Sequence, residues 1–292
     1  MRDGKRLYPA MPYTSFSKID DEDMHALYAY FMHDVEPIAE AALRTQLRFP
    51  YDQCWAMAFW NMAFAPTGRF MPDPKRDAQW NRGTYLVQSL GHCGACHTPR
   101  RPAYNETTYT LTSLEGAGLA RLSAQDITSL LKTGHGEGLI PFGSMVEVVE
   151  NNTQFLTDQD LLAIATYLKS LPPKGRGGAF DPNVAATPRG VALNTGDRGD
   201  GAGVAMKYPR LASNPGVLVA EPDSLIRLLL QGGHAPSTVY GPLPKEMPAF
   251  GKKLTDAEIV NVLSYVRSAW GNDAPLVTTR EVRAVRNAVG AR

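Results

Sequence analysis

Long apolar runs are missing from this chain. No stretch among its 292 residues approaches the roughly 18 consecutive apolar residues of a membrane-spanning helix. The opening stretch MRDGKRLYPAMPYTS contains no apolar block, so no secretory leader is expected there. An excess of either charge is missing too: 30 Lys and Arg face 29 Asp and Glu, for a net charge of +1. A nucleic-acid binder carries a basic patch or stripe, so no nucleic-acid partner is expected. Paired carboxylates in a suggestive setting, a nucleophile elbow and a phosphate loop are all lacking. Gly199-Asp200-Gly201-Ala202-Gly203 is glycine-rich but neither follows a predicted strand nor opens a helix, so it reads as a loop.

What is present describes a globular chain with a core. Hydrophobic residues make up 43% and charged residues 20%, and the length suits about two or three small domains. Glycine (26) and proline (22) are plentiful, which predicts extensive loops. No strand pattern is convincing, so the fold class is mainly α.

Three segments share one pattern: Ile19-Asp20-Asp21-Glu22-Asp23, Leu156-Thr157-Asp158-Gln159-Asp160 and Leu254-Thr255-Asp256-Ala257-Glu258. Asp20, Thr157 and Thr255 read as N-caps, with Asp23, Asp160 and Glu258 three residues on as capping-box acids. An apolar helical period follows each and runs to a tyrosine: Tyr30, Tyr167 and Tyr265. A methionine stands ahead of each helix: Met11, Met145 and Met247. Spacings of this size are too long for a solenoid, so the units read as copies of a domain. Arg82-Gly83-Thr84-Tyr85-Leu86-Val87 opens a helix, and Arg189-Gly190-Val191-Ala192-Leu193 resembles it as a counterpart. Linkers are expected over 171–178 and near 65–80.

The chemistry lies in Gly91-His92-Cys93-Gly94-Ala95-Cys96-His97-Thr98-Pro99-Arg100. Cys-x-x-Cys-His is the attachment signature of a c-type haem. Two thiols add across the two vinyl groups, and the adjoining histidine is placed under the iron. A zinc site would need two further ligands, and no second Cys-x-x-Cys exists. A redox dithiol of the thioredoxin kind expects a βαβ setting, which is absent. Cys93 and Cys96 are thus expected to hold one covalent haem c, with His97 as the proximal iron ligand. Met145 is the expected distal ligand, and His135 in Gly134-His135-Gly136 is its rival. His92 lies too near the attachment turn to reach the far face. Arg100 and Arg101 follow the motif and could pair with a haem propionate or form a solvated surface pair. Cys54, alone in an apolar stretch, reads as a buried, inert thiol. Trp55, Trp60 and Trp80 read as core.

These stretches, with Tyr8-Pro9-Ala10-Met11-Pro12-Tyr13 and Met247-Pro248-Ala249-Phe250, make nearly the whole chain resemble a known family. It is the multihaem cytochrome c subunit of membrane-bound alcohol, aldehyde and gluconate dehydrogenases. The resemblance implies tandem cytochrome c domains, small helical bundles with long loops around haem. It implies electron transfer from a flavin or quinoprotein dehydrogenase subunit towards ubiquinone and the respiratory chain. The implied place is periplasmic, peripheral to the cytoplasmic membrane. The family has three Cys-x-x-Cys-His motifs and this chain has one. Expected divisions are therefore 1–45, the C-terminal part of a first domain lacking its motif; 46–175, the central haem domain; 176–275, a third domain whose motif is missing after Leu193-Asn194; and 276–292, a basic tail. Met11 and Met247 match distal ligands left without a haem, and the third domain is expected to hold an unfilled cavity behind Met247.

Two readings of the departures stay open. The chain is a truncated or decayed copy, or its outer domains serve as scaffolding. Two other functions stand beside electron transfer: a non-conducting interaction subunit with a structural haem, and a haem-based ligand sensor. The tail Thr278-Thr279-Arg280-Glu281-Val282-Arg283 onward reads as a solvated, frayed end, or as a segment touching a membrane surface or partner.

Overall fold

The computed structural model describes residues 12–40, 47–49, 52–64, 68–97, 122–136, 138–171, 179–180 and 210–290, and the side chains of 54, 63, 64, 179 and 180 stand outside that description. The fold is mainly α. Contacts divide it into two units, Met1–Cys96 and His97–Arg292. The boundaries expected at 45/46 and 175/176 fall inside these units.

The first unit contains α1 (Tyr13–Phe16), α2 (Asp21–His33), a 3-10 turn (Cys54–Ala56), α3 (Met57–Phe64) and α4 (Ala78–Gln88), with α5 (Gly94–His97) straddling its end. Asp77 caps α4 by accepting from the Trp80 N–H at 2.7 Å. The Asn81 side chain ties the preceding loop down, accepting from Asp73 N at 2.7 Å and donating to Asp73 O at 3.0 Å. Tyr85 on α4 donates to Asp23 Oδ2 at 2.6 Å and accepts from Asp20 N at 3.4 Å, so it grips the start of α2. Burial and the Asp23 carboxylate both hold its hydroxyl protonated.

The second unit contains α6 (Ala124–Thr133), α7 (Ser144–Asn151), α8 (Asp158–Ser170), α9 (Pro215–Leu218), α10 (Asp223–Gln231), α11 (Asp256–Ser268) and α12 (Thr279–Val289). Its strands are two-residue pairs. β1 (Ala179–Phe180) runs antiparallel to β4 (Asn272–Asp273), and β2 (Gly233–His234) to β3 (Glu246–Met247), with Gly233 opposite Met247.

The repeated helices are α2, α8 and α11, each of 13 residues. Asp20, Thr157 and Thr255 cap them, accepting from the N–H groups of Asp23, Asp160 and Glu258. At Thr255 the box is reciprocal, since Glu258 also accepts from Thr255 N at 2.7 Å. In α8 the apolar face is buried: Leu161, Ile164, Ala165 and Leu168 pack toward α6. In α11 Ile259 and Leu263 join Leu225, Ile226, Leu229, Leu230, Val282 and Val285 in one apolar cluster. α2 buries no residue, and Tyr28 and Phe31 are 64% and 63% exposed. The same helical pattern therefore stands in two environments, set by whether a neighbouring helix lies against it.

One expectation is overturned here. The basic tail is not a frayed end. α12 is capped by a Thr278–Glu281 box and closed by Gly290 at φ +64°, with Val282 and Val285 in the core. Arg286 on α12 donates to Asp256 Oδ1 at 2.7 Å and to Leu254 O at 2.9 Å. Periodic valines with a cap and a closing glycine make a packed helix whatever the charge of its outer face. Met247 is half-buried and packs with Phe250 and Leu254 against the apolar cluster.

Arg267 is the largest fully buried side chain. Its guanidinium donates to Pro275 O at 2.7 Å, Val217 O at 2.8 Å, Val219 O at 2.7 Å and Ala220 O at 3.2 Å. Burial pushes its pKa down, while Glu281 and Glu221 oppose that. At the matching place on α8, Lys169 is exposed and donates to Leu122 O at 2.7 Å. In both copies a cation thus reaches a carbonyl just ahead of the neighbouring helix.

Candidate haem attachment site

α4 delivers the chain to the Cys-x-x-Cys-His turn. Gly83, Thr84, Tyr85, Leu86 and Val87 form its buried face. Beyond Gln88 the backbone folds back onto the helix end: Gly91 N donates to Leu86 O at 2.8 Å, His92 N to Ser89 O at 3.1 Å and Cys93 N to Val87 O at 3.0 Å. Position 91 has to be glycine. A Cβ there would lie 2.8 Å from Leu86 O and 3.2 Å from Cys93 Sγ, the first too close for backbone that cannot yield. His92 follows in the left-handed region, at φ +36°, with its ring edge-on to Phe16 at 5.7 Å.

A single helical turn follows, with Ala95 N donating to His92 O at 2.8 Å and Cys96 N to Cys93 O at 3.2 Å. Positions i, i+3 and i+4 of a helix share one face. Cys93, Cys96 and His97 occupy that spacing across α5. Both thiols are free. Cys93 and His97 are half-buried and Cys96 is exposed.

The donor set fits a haem better than a bare metal ion. Burial pushes the Cys93 thiol up to about 11, so it stays neutral at ordinary pH. A structural zinc site takes four ligands, and Cys93, Cys96 and His97 supply three at most. Among the described residues no three His, Cys, Asp or Glu side chains gather as a metal centre.

Met145 is the second residue of α7 and is half-buried; Gly143, at φ +62°, turns the chain into that helix. His135, its rival, is half-buried with Nδ1 3.1 Å from Thr133 O. Met247 lies on β3. Met11, Arg100 and Arg101 lie outside the described residues, as does the thiol of Cys54, whose backbone opens the 3-10 turn. Of the tryptophans read as core, Trp60 and Trp80 are half-buried, but Trp55 is 68% exposed. The fixing roles of Tyr85 and Gly91 in this region were not anticipated. The Arg-Gly-Thr-Tyr-Leu-Val string contained Tyr85, but its partners lie more than 60 residues away.

No protein-family model matches the chain. Individual relatives do. The cytochrome c subunit of a quinone-type alcohol dehydrogenase from Gluconacetobacter polyoxogenes is 38% identical over 325 positions, covering 98% of this chain and 69% of that protein. The gluconate 2-dehydrogenase cytochrome c subunit of Pantoea cypripedii is 37% identical, with 98% and 74% covered. The fructose dehydrogenase cytochrome subunit of Gluconobacter japonicus is 33% identical, with 97% and 68% covered. Each match spans more positions than the chain has residues, so the relatives carry stretches without a counterpart here. Identity at this level over almost the full length shows that the chain belongs to the family of dehydrogenase cytochrome c subunits.

Proposed function

We propose that the chain binds one haem c through Cys93 and Cys96, with His97 and Met145 as iron ligands, and passes single electrons from a dehydrogenase catalytic subunit towards ubiquinone. The reading places it in the periplasm, peripheral to the cytoplasmic membrane. One observation carries the site: two free thiols and an imidazole stand at i, i+3 and i+4 on a single turn that α4 holds in place. The relatives, named as cytochrome subunits of alcohol, gluconate and fructose dehydrogenases, support a flavin- or quinone-dependent catalytic partner.

A bound haem c supplies a one-electron carrier. The chain's own residues do the rest. Cys93 and Cys96 would anchor the group through thioethers, whose sulfurs carry no charge. The His97 imidazole would supply a nitrogen ligand to the iron. The Met145 thioether, a soft ligand, favours the reduced state and raises the potential. Arg100 is assigned to a haem propionate. No protein acid or base is required, because no bond in a substrate is made or broken here. Met11 and Met247 are read as vestigial distal ligands.

The test is a reduced-minus-oxidised visible spectrum with haem counting, on protein made in a host competent in cytochrome maturation. One haem per chain, reduced by a partner dehydrogenase with its substrate and reoxidised by a ubiquinone analogue, is expected. A haem that no dehydrogenase reduces would leave only a structural role. Ready binding of carbon monoxide by the untreated ferrous form would point to a sensor.

A further inference from the structure

The loop between β2 and β3 belongs to the third repeat but lies against α6 and α7. It is rooted at both ends in its own repeat: Gly233 pairs with Met247, Ala235 N donates to Lys245 O at 2.8 Å, and Met247 packs on the apolar cluster. Its middle makes three consecutive bonds to residues 85 to 105 positions earlier. Ser237 N donates to Glu150 Oε1 at 2.6 Å, Thr238 Oγ1 to Thr133 O at 2.9 Å and Val239 N to Gln154 Oε1 at 3.0 Å. Pro236 is fully buried and rests on Gly134, where a Cβ would lie 2.8 Å from its ring. The Tyr240 ring lies 4.7 Å from the Lys132 ammonium.

These contacts bracket one stretch of chain. Thr133 and Gly134 close α6, Glu150 stands in the last turn of α7, and Gln154 lies in the 3-10 turn Thr153–Phe155. Between the two ends run His135 and Met145. The far end is itself tied together. The Gln154 side chain, 4% exposed, donates to Glu150 O, and Thr153 Oγ1 donates to Leu131 O at 2.6 Å. Met145 shares α7 with Glu150, and Val146 and Val149 bury the inner side of that helix. The placing of the helix that carries Met145 thus depends on residues of the third repeat.

We infer that the loop 235–241 is a strap that positions Met145: it holds α7 where the thioether can reach the iron, and so keeps the sixth position closed. The inference rests on the ligand reading proposed above. Partners that orient a ligand from outside commonly change its affinity tenfold or more when lost. Two of the strap's donors are backbone N–H groups, which cannot swing away as a side chain does. The strap gives the third repeat a task that needs no attachment motif. A soft thioether holds ferrous iron better than ferric, so a slack strap opens the ferric form first and lowers the potential.

Mature haem-loaded protein is titrated with imidazole in the ferric state, and the far-red methionine-to-iron band and the midpoint potential are read on the same samples. An incoming ligand binds only the open fraction, so its apparent affinity rises in proportion to opening. Glu150→Ala/Thr238→Val removes one acceptor and one donor and leaves Met145 and His135 in place. Imidazole is expected to bind it about tenfold tighter, with a weaker band and a lower potential. Glu150→Gln/Thr238→Ser keeps an acceptor and a hydroxyl and stays close to wild type. Thr238→Val alone, for use should the double variant not fold, shifts all three readings the same way, the affinity by about threefold. Met145→Ala sets the fully open limit. A Glu150→Ala/Thr238→Val protein that melts lower but matches wild type in all three readings makes the strap ordinary packing and overturns the inference, with the ligand reading intact. Equal shifts in the conservative pair overturn it too. A Met145→Ala protein with wild-type band and imidazole affinity sinks the ligand reading and the inference together.

Discussion

Replacing Arg267 with methionine keeps the length of the side chain and removes every donor. Four carbonyls then lose their partner: Val217, Val219, Ala220 and Pro275. A hydrogen bond from a charged donor contributes about 1.5–3 kcal/mol, and the total is smaller than four times that. The cation itself was costly to bury, and water can reach some of the freed oxygens. A net loss of about 3 kcal/mol is the result. For a cooperative unit of this size it lowers the melting temperature by about 6–12 °C. The assay is urea unfolding with hydrogen-exchange mass spectrometry on peptides from α11 and α12. Lys169→Met is the internal control: the exposed ammonium donates to Leu122 O, and its loss costs less than about 1 kcal/mol. A loss below about 1 kcal/mol at Arg267, or equal losses at both positions, would refute the reasoning.

Gly232→Ala would place a Cβ 2.4 Å from Met247 O at φ +73°, with backbone on every side. A loss of about 2–4 kcal/mol in thermal unfolding is expected, and Ala at Gly290, where nothing lies within 4 Å, costs less. The Thr255 backbone N–H holds the Glu258 carboxyl below the usual carboxylate range. A depressed folded-state pKa adds stability above the unfolded value of about 4.5 and loses it as pH falls through the folded one. Glu258→Gln therefore shows a shallower acid decline than wild type in pH-dependent urea melts. Met145→Ala keeps covalent haem but loses the weak far-red methionine-to-iron band, while His135→Ala retains it; the reverse pattern would make His135 the ligand.

Much of this molecule was legible because its signals are local. Asp20, Thr157 and Thr255 announce helix starts through bonds to residues three positions on. Cys93, Cys96 and His97 announce a shared face through spacing alone. What the sequence hid depends on distant partners. Arg267 looks like any helical arginine until Val217, some 50 residues away, is placed beside it. Trp55 looks like core because it stands in the apolar stretch 54–60, and the sequence cannot say which of those side chains a neighbour covers. α12 was misjudged from its charge, although Thr278, Glu281 and Gly290 spelled a capped and closed helix.

The central claim is that Cys93 and Cys96 form thioethers to one haem beside His97. Intact-mass spectrometry of the denatured chain, from a host that matures cytochromes, tests it most directly. The account predicts a mass heavier by one haem that survives acid and organic solvent, with the added mass on a peptide containing Cys93 and Cys96. A chain of bare polypeptide mass, or a haem that washes away on denaturation, would contradict it.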